Sequence, residues 1–194
     1  MNLDTAIFLW LNGHAGHTPA LDALMVALAR YAPAIIAVVL LACWARWTRD
    51  WQRAAALAGA AALLALGAGQ LVGLALPRLR PYQVLSATVL VPHAPDTSFP
   101  SDHAILVAAV TVVLLSRSRT LGAWLILFSL LVLVARVYIG VHYPSDVVGG
   151  AALGALGALV TLRLARTAFI IRMMDAAFAL LVRCRLAARD AQPS

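Results

Sequence analysis

The chain has 194 residues, of which 63% are hydrophobic and 12% are charged, and its mean hydropathy is +0.89. Soluble domains carry about 25% charged residues, so the composition excludes a purely soluble core and requires lipid as solvent for much of the surface. The net charge is +7, but the arginines are scattered between apolar runs, which argues against a nucleic-acid-binding protein.

Apolar runs predict the elements of one membrane domain, residues 1–194. The N-terminal segment, residues 1–18, carries an apolar run too short to span a bilayer, which takes about 20 helical residues, and we expect it to lie in the interface or re-enter the membrane. Five longer runs predict spanning helices, at about 21–44, 54–76, 102–115, 121–138 and 145–164.

The C-terminal segment, residues 168–194, allows two interpretations. Arg172, Asp175 and Arg183 fall on one stripe at helical spacing, which favours an amphipathic helix in the interface. A sixth span is the alternative. The predicted fold class is an all-α integral membrane protein, a polytopic bundle of five to six transmembrane helices with short amphipathic terminal helices.

The arginines also predict the orientation of the bundle. If the polar loop 77–100 faces outward, seven arginines fall on the inner side and three on the outer side, as the positive-inside rule requires. The three outer residues are Arg78, Arg80 and Arg136, which belong to the polar clusters described next. We therefore expect these clusters on the extracytoplasmic face.

Three polar clusters interrupt the apolar pattern within a signature region at about 70–150. They occupy residues 78–82, 98–103 and 136–146, and the predicted topology brings them to one membrane surface. Ser101 stands where a helix N-cap would stand, so free backbone N–H groups would face a bound anion. Arg80 and Arg136 can each grip phosphate oxygens through two N–H groups.

Two histidines and a carboxylate complete the predicted site. Phosphoryl transfer needs an in-line nucleophile and a proton donor for the leaving oxygen, and His142 and His103 can fill these two roles. Asp146, four residues after His142, can orient the imidazole and stabilise its developing charge. His93, in the outer loop, is expected to be solvated or interfacial.

Simpler interpretations exist for each residue alone. Ser101 could act only as a helix cap, Asp146 only as a first-turn acid, and Arg136 could reach the lipid headgroups. A zinc site built from His103, His142 and Asp146 would place arginines beside a cation and lacks a tight ligand spacing. None of these alternatives explains why all the polar groups converge.

The three clusters resemble the signature of the type 2 phosphatidic acid phosphatase superfamily. The matching residues are Arg80-Pro81, then Pro100-Ser101-Asp102-His103, then Arg136 followed at fixed spacings by His142 and Asp146. The resemblance implies that His142 is the nucleophile and forms a phosphohistidine, that Asp146 orients it and that His103 protonates the leaving group. It also implies that Arg80, Ser101 and Arg136 hold phosphate and that neither metal nor cofactor is needed.

The chain departs from this signature at three positions. The family's Lys would fall at Gly73, and Arg78 is the predicted replacement for its charge. Ala135 stands where the family has Ser, and Asp102 where it has Gly. An acid beside phosphate is unfavourable unless it turns away, pairs or is protonated, so Asp102 is a candidate modulator of the site.

Asp102, the small size and the sequence around His142 resemble the bacitracin-resistance type of undecaprenyl-diphosphate phosphatase. This resemblance implies hydrolysis of undecaprenyl diphosphate to the monophosphate on the periplasmic face of the bacterial inner membrane, which recycles the cell-wall lipid carrier. The expected partners are this polyprenyl diphosphate and membrane lipids, and the oligomeric state stays open. The alternatives are a phosphatase for phosphatidylglycerophosphate, phosphatidate or lipid A phosphate, and a non-catalytic headgroup-binding protein.

Overall fold

The structure, a computed structural model, describes residues 2–184, 186 and 187. Within these residues the chain forms eight helices and no strand. Their bounds are α1 Leu3–Asn12, α2 Pro19–Ala45, α3 Arg49–Ala75, α4 Pro81–Val84, α5 Asp102–Arg117, α6 Arg119–Tyr138, α7 Pro144–Leu164 and α8 Ala168–Arg183.

Helix α5 forms the centre of the bundle and packs against α3, α6 and α7. Small residues on α7 allow this close packing. A Cβ atom added at Gly150 would come within 2.6 Å of the Ser101 carbonyl oxygen, and one at Gly154 would collide with the Ile105 carbonyl. Since no side chain separates the two helices here, α5 and α7 are held together by direct backbone contact.

Four helices, α2, α3, α6 and α7, are long and apolar enough to cross a membrane. They coincide with four of the five predicted spans. The remaining predicted span corresponds to α5, which has 16 residues and is about 24 Å long. Asp102 at one end of α5 contacts Gln70 and Arg117 at the other contacts Asp50, so α5 runs antiparallel to most of α3. The predicted all-helical membrane bundle is confirmed.

Helix α8 lies across the end of the bundle opposite the site, as predicted for an amphipathic interfacial helix. Asp175, near its middle, is 3.5 Å from Arg49 and 3.8 Å from Arg53. Phe178 stacks on Trp44 with ring centroids 5.9 Å apart. These partners belong to the ends of α2 and α3, so a sixth span is not supported. Residues 185 and 188–194 of the predicted C-terminal segment lie outside the described residues.

Helix α1 packs on the opposite end of the bundle from α8, against α6 and α7. Phe8 is fully buried beside Tyr143. The buried Asn12 amide donates to the carbonyls of Thr88 and Tyr138, at 2.8 Å each, and its oxygen accepts from the Thr88 N–H at 2.9 Å. Asn12 therefore ties the polar loop to the end of α6, where the predicted site residues lie.

Candidate active site

A cavity of about 160 Å³ opens at the α1 end of the bundle and contains most of the predicted site. It combines cationic, histidine and acidic side chains with the first residues of α5. Its lining comprises Gly69, Gln70, Arg80, His93, Asp96, Thr97, Pro100, Asp102, His103, Arg136 and His142.

His142 lies in the buried turn between α6 and α7, and only 2% of its surface is exposed. The turn is possible because Gly140 adopts a φ of +90°, and α7 begins at Pro144. The Nδ1 atom is 2.9 Å from the Ser98 carbonyl, which can only accept a hydrogen bond. The proton is therefore assigned to Nδ1, and the lone pair of Nε2 faces the cavity.

Two guanidinium groups face that lone pair. Arg80 Nη1 lies 3.3 Å and Arg136 Nη2 lies 3.2 Å from His142 Nε2. Burial and the charges of Arg136 and Arg80 lower the pKa of His142 well below its ordinary value. The imidazole is therefore neutral near pH 7, as a nucleophile must be. The zinc alternative conflicts with this geometry, since two cations occupy the direction in which Nε2 would bind a metal.

Asp146 is fully buried in the first turn of α7 and has well-defined partners. Its Oδ2 accepts from the Ser98 hydroxyl at 2.6 Å and the Tyr143 N–H at 2.8 Å, and its Oδ1 accepts from Arg78 at 2.7 Å. Oδ2 is 3.9 Å from His142 Nδ1, too far for a hydrogen bond. Asp146 is therefore linked to the imidazole through Ser98, which contacts both residues.

Arg136 and Ser101 each carry a buried polar atom with no hydrogen-bond partner among the described residues. These atoms are Arg136 Nε and Ser101 Oγ. Ser101 occupies the N-cap position of α5, but its side chain makes no cap hydrogen bond, so capping alone does not account for it. Ser101 does not line the cavity, and its backbone N–H donates to the Asp146 carbonyl at 3.2 Å. Of these two residues, Arg136 lines the cavity, and its unsatisfied Nε is a group that an anion bound there would complete.

His103 and Asp102 both line the cavity from the first turn of α5. The His103 ring lies near the backbone of Ala29 on α2. Asp102 is an exposed residue, and Gln70 Nε2 donates to its two oxygens at 3.1 and 3.2 Å. Asp102, which would be unfavourable beside a phosphate, is therefore paired with the Gln70 amide and not with an arginine.

Arg78 is not among the cavity-lining residues. Its Nη2 donates to Asp4 at 2.6 Å, and its Nη1 donates to Asp146 at 2.7 Å and the Ser145 hydroxyl at 2.6 Å. The guanidinium also lies over the Tyr143 ring, 4.0 Å from its centroid. Arg78 thus contacts the carboxylate behind His142, and its predicted role as a phosphate ligand stays a prediction.

Three residues of the polar loop join the site without having been assigned to it from the sequence. His93 was expected to be solvated or interfacial, but its Nε2 is 3.3 Å from Arg136 and it lines the cavity. Asp96 pairs with Arg80 at 2.7 Å, and Ser98 joins Asp146 to His142. Burial, together with Arg80 and Arg136, lowers the pKa of His93. The only sequence signal for these three residues was that Ser98 is the first residue of the second polar cluster.

Comparison with known proteins agrees with the family resemblance. Residues 53–170 match the PAP2 superfamily. The undecaprenyl-diphosphatase BcrC of Bacillus subtilis is 35% identical over 143 residues, which are 74% of each chain. The bacitracin transport permease protein BcrC of Bacillus licheniformis is 32% identical, over 82% of this chain and 78% of that one.

The fold also resembles a solved structure. The crystal structure of LpxE from Aquifex aeolicus superposes with a TM-score of 0.67 and 23% identity, covering 84% of this chain and 96% of that one. At this identity the likeness concerns the fold alone. Residues 53–170, which match the PAP2 superfamily, contain all three polar clusters and the helices that carry them. With the relatives described above, this match shows that the chain belongs to the PAP2 superfamily.

Proposed function

We propose that this membrane phosphatase hydrolyses undecaprenyl diphosphate to undecaprenyl phosphate and inorganic phosphate through a phosphohistidine. The observation that carries the proposal is the unprotonated Nε2 of His142, which faces Arg80 and Arg136 inside a cavity. A neutral nucleophile between two cations suits a phosphoanhydride, because the cations attract the substrate and stabilise charge on the phosphoryl oxygens.

The reaction follows from these contacts. Nε2 of His142 attacks the terminal phosphorus while the bond to the bridging oxygen breaks, and undecaprenyl phosphate leaves with a proton from His103. Arg80 and Arg136, which line the cavity, hold the phosphoryl oxygens, and Ser101, which does not line it, stays a predicted third ligand. Nδ1–H remains bonded to the Ser98 carbonyl, so Asp146 stabilises the charged ring through Ser98. Water, deprotonated by His103, then attacks phosphorus and releases phosphate, which restores the free imidazole.

An apolar groove beside the cavity supports a lipid substrate. The groove has a volume of about 280 Å³ and lies between α3 and α7, and it shares Pro100 with the anion cavity. We assign the first isoprene units of the substrate to it. Its lining is almost wholly apolar, namely Val72, Phe99, Pro100, Gly149, Ala152, Leu153 and Leu156.

The distribution of arginines supports an extracytoplasmic site in the bacterial inner membrane. Seven arginines of the connecting segments fall at the end opposite the cavity, and the three at the cavity end take part in the site network. On that face the enzyme recycles the cell-wall lipid carrier and gives bacitracin resistance. Cysteine labelling with an impermeant maleimide at Ser86 and Arg119, both exposed, would test this orientation, and labelling of intact cells only at residue 119 would contradict it.

The substrate is tested by phosphate release from the purified protein in detergent. Undecaprenyl diphosphate, farnesyl diphosphate and phosphatidylglycerophosphate are compared at equal concentration, with His142→Asn as the inactive control. We expect both prenyl diphosphates to be hydrolysed and the long-chain one to have the higher kcat/KM. A preference for the glycerolipid would instead identify a sister lipid phosphatase.

The name of the Bacillus licheniformis relative raises a second candidate, a bacitracin transport component without chemistry. The buried histidine–arginine contacts favour the enzyme, because binding a headgroup does not require an oriented neutral imidazole. The two functions separate in cells that express His142→Asn at wild-type levels. Loss of bacitracin resistance supports hydrolysis, and full resistance supports transport.

A further inference from the structure

An acidic residue of the N-terminal helix is bound into the network behind the nucleophile. Asp4 Oδ1 accepts from the Ser145 N–H at 2.9 Å, and Asp4 Oδ2 accepts from the Ser145 hydroxyl and from Arg78, each at 2.6 Å. The same Arg78 donates to the buried carboxylate of Asp146. Asp4, Arg78 and Asp146 thus form a chain of alternating charges that ends beside His142.

The charge balance of this chain affects the imidazole. Arg78 is the one arginine within ion-pair distance of Asp146 among the described residues. If Arg78 had no other partner, its full charge would offset that of Asp146. Asp4 competes for the same guanidinium, so the three groups together carry a net charge of −1. That negative charge stabilises the imidazolium-like phosphohistidine and raises the basicity of His142.

The ionisation states fit this arrangement. Burial alone would raise the pKa of Asp4, but hydrogen bonds from Ser145 and Arg78 hold it below its ordinary value. Burial would lower the pKa of Arg78, but its bonds and charge contacts with Asp4 and Asp146 hold it above its ordinary value. Both groups are therefore charged at neutral pH.

We propose that Asp4 is a positioning residue of the phosphatase reaction, which orients and electrostatically balances Arg78 so that Asp146 can support His142 through Ser98. This inference rests on the proposed phosphatase function. It also gives Arg78 a role that does not require contact with phosphate. The N-terminal helix, which the sequence predicted to be interfacial or re-entrant, thereby becomes part of the site.

The test compares steady-state kinetics of purified Asp4→Asn and Asp4→Glu with wild type, across pH and on one substrate. The other groups that face His142 are Arg80, Arg136, His93, Ser98 and Asp146, and they are unchanged in these variants. Asp4→Asn should lower kcat about tenfold and change KM less than twofold. The acid limb of the kcat/KM profile should move to lower pH by about half a unit, because removing a negative charge lowers the pKa of His142. Asp4→Glu should recover part of the rate.

Asp22→Asn is the matched control. Asp22 lies at the same end of the bundle and bonds to the Tyr138 hydroxyl and the Gly16 N–H, but it contacts none of the site residues. The Asp22→Asn variant should have a lower thermal stability, but the acid limb of its kcat/KM profile should stay at the wild-type pH. If Asp4→Asn loses stability and rate with an unmoved acid limb, or retains full kcat, the inference is wrong. If the wild type releases no phosphate from any substrate, the proposed function fails, and the inference fails with it.

Discussion

The two ends of the bundle are both rich in arginine, but they use it differently. At the cavity end, Arg80 and Arg136 are each only 4% exposed and converge on one imidazole nitrogen. Arg136 has no carboxylate within ion-pair distance among the described residues. The two buried guanidinium groups repel each other, so an anion bound between them would stabilise this end of the bundle.

At the opposite end the arginines are spread over aromatic rings and acids. Arg46 and Arg117 both lie against Trp51, with guanidinium carbons 4.7 and 4.9 Å from the ring centroid. Arg117 also pairs with Asp50 at 3.5 Å, and Arg49 lies 4.3 Å over Phe178. Such contacts anchor a bundle at the interface, and among the described residues they leave no convergent positive site at this end. Convergence of the arginines, and not their number, therefore marks the functional end.

The nucleophile should show the greatest loss of activity. His142→Asn keeps the approximate size and a polar group but has no nucleophilic nitrogen, so kcat should fall by about 10⁴-fold or more. Quenched samples of wild type with ³²P-labelled substrate should contain an acid-labile, alkali-stable phosphoenzyme that the variant lacks. A labelled variant would mean that another residue attacks phosphorus.

The second prediction contrasts the two ends directly. Arg136→Gln should lower kcat/KM by about 10²–10³-fold, since a preorganised cation facing the transition state is lost. Arg117→Gln at the opposite end should stay within about twofold in kcat/KM and lose at most about 1 kcal/mol of stability. Phosphate release and thermal unfolding in detergent measure the two quantities. Comparable kinetic losses in both variants would remove the distinction between the ends.

A smaller effect is expected at Ser98. Ser98→Ala removes the hydroxyl that donates to Asp146 but keeps the carbonyl that binds His142 Nδ1–H, so kcat should fall about tenfold with little change in KM. Ser129→Ala is the control, since its buried hydroxyl contacts Thr111 at 2.9 Å in the middle of the bundle. The control should lower stability and leave kcat unchanged. Equal kcat in both variants would mean that the Ser98 hydroxyl plays no part in the reaction.

The weakest of these effects concerns pH and stability. Folded His142 has a lowered pKa, whereas the unfolded residue has a pKa near 6.5, so below that pH the unfolded state binds a proton that the folded state does not. Stability should therefore fall as pH drops from 7.5 to 5.5, and His142 should account for about 1 kcal/mol of the loss. Unfolding of wild type and His142→Asn at both pH values measures this difference. An equal loss in the two proteins would mean that His142 does not resist protonation.

The sequence predicted the helices well, because the apolar runs are long and their ends are marked by Arg, Pro or Gly. It also predicted that Arg80, His103, Arg136 and His142 would meet, because the fixed spacings and alternating spans bring three clusters to one surface. It did not predict the contacts of His93, Asp96 and Ser98, because the path of a proline-rich loop has no periodicity to read. The contact between Asp4 and Arg78 could not be predicted either, because the two residues are 74 positions apart and no local pattern links them.

The glycines of α7 have a consequence for how such proteins diversify. Because Gly150 and Gly154 seat α5 on α7 through backbone atoms, the spacing between His103 and His142 does not depend on the size of neighbouring lipid-facing side chains. Substitutions along the α3–α7 groove can then change which lipid tail is accepted without altering the reaction geometry. Descendants of one ancestor could in this way acquire new lipid substrates while inheriting the same chemistry.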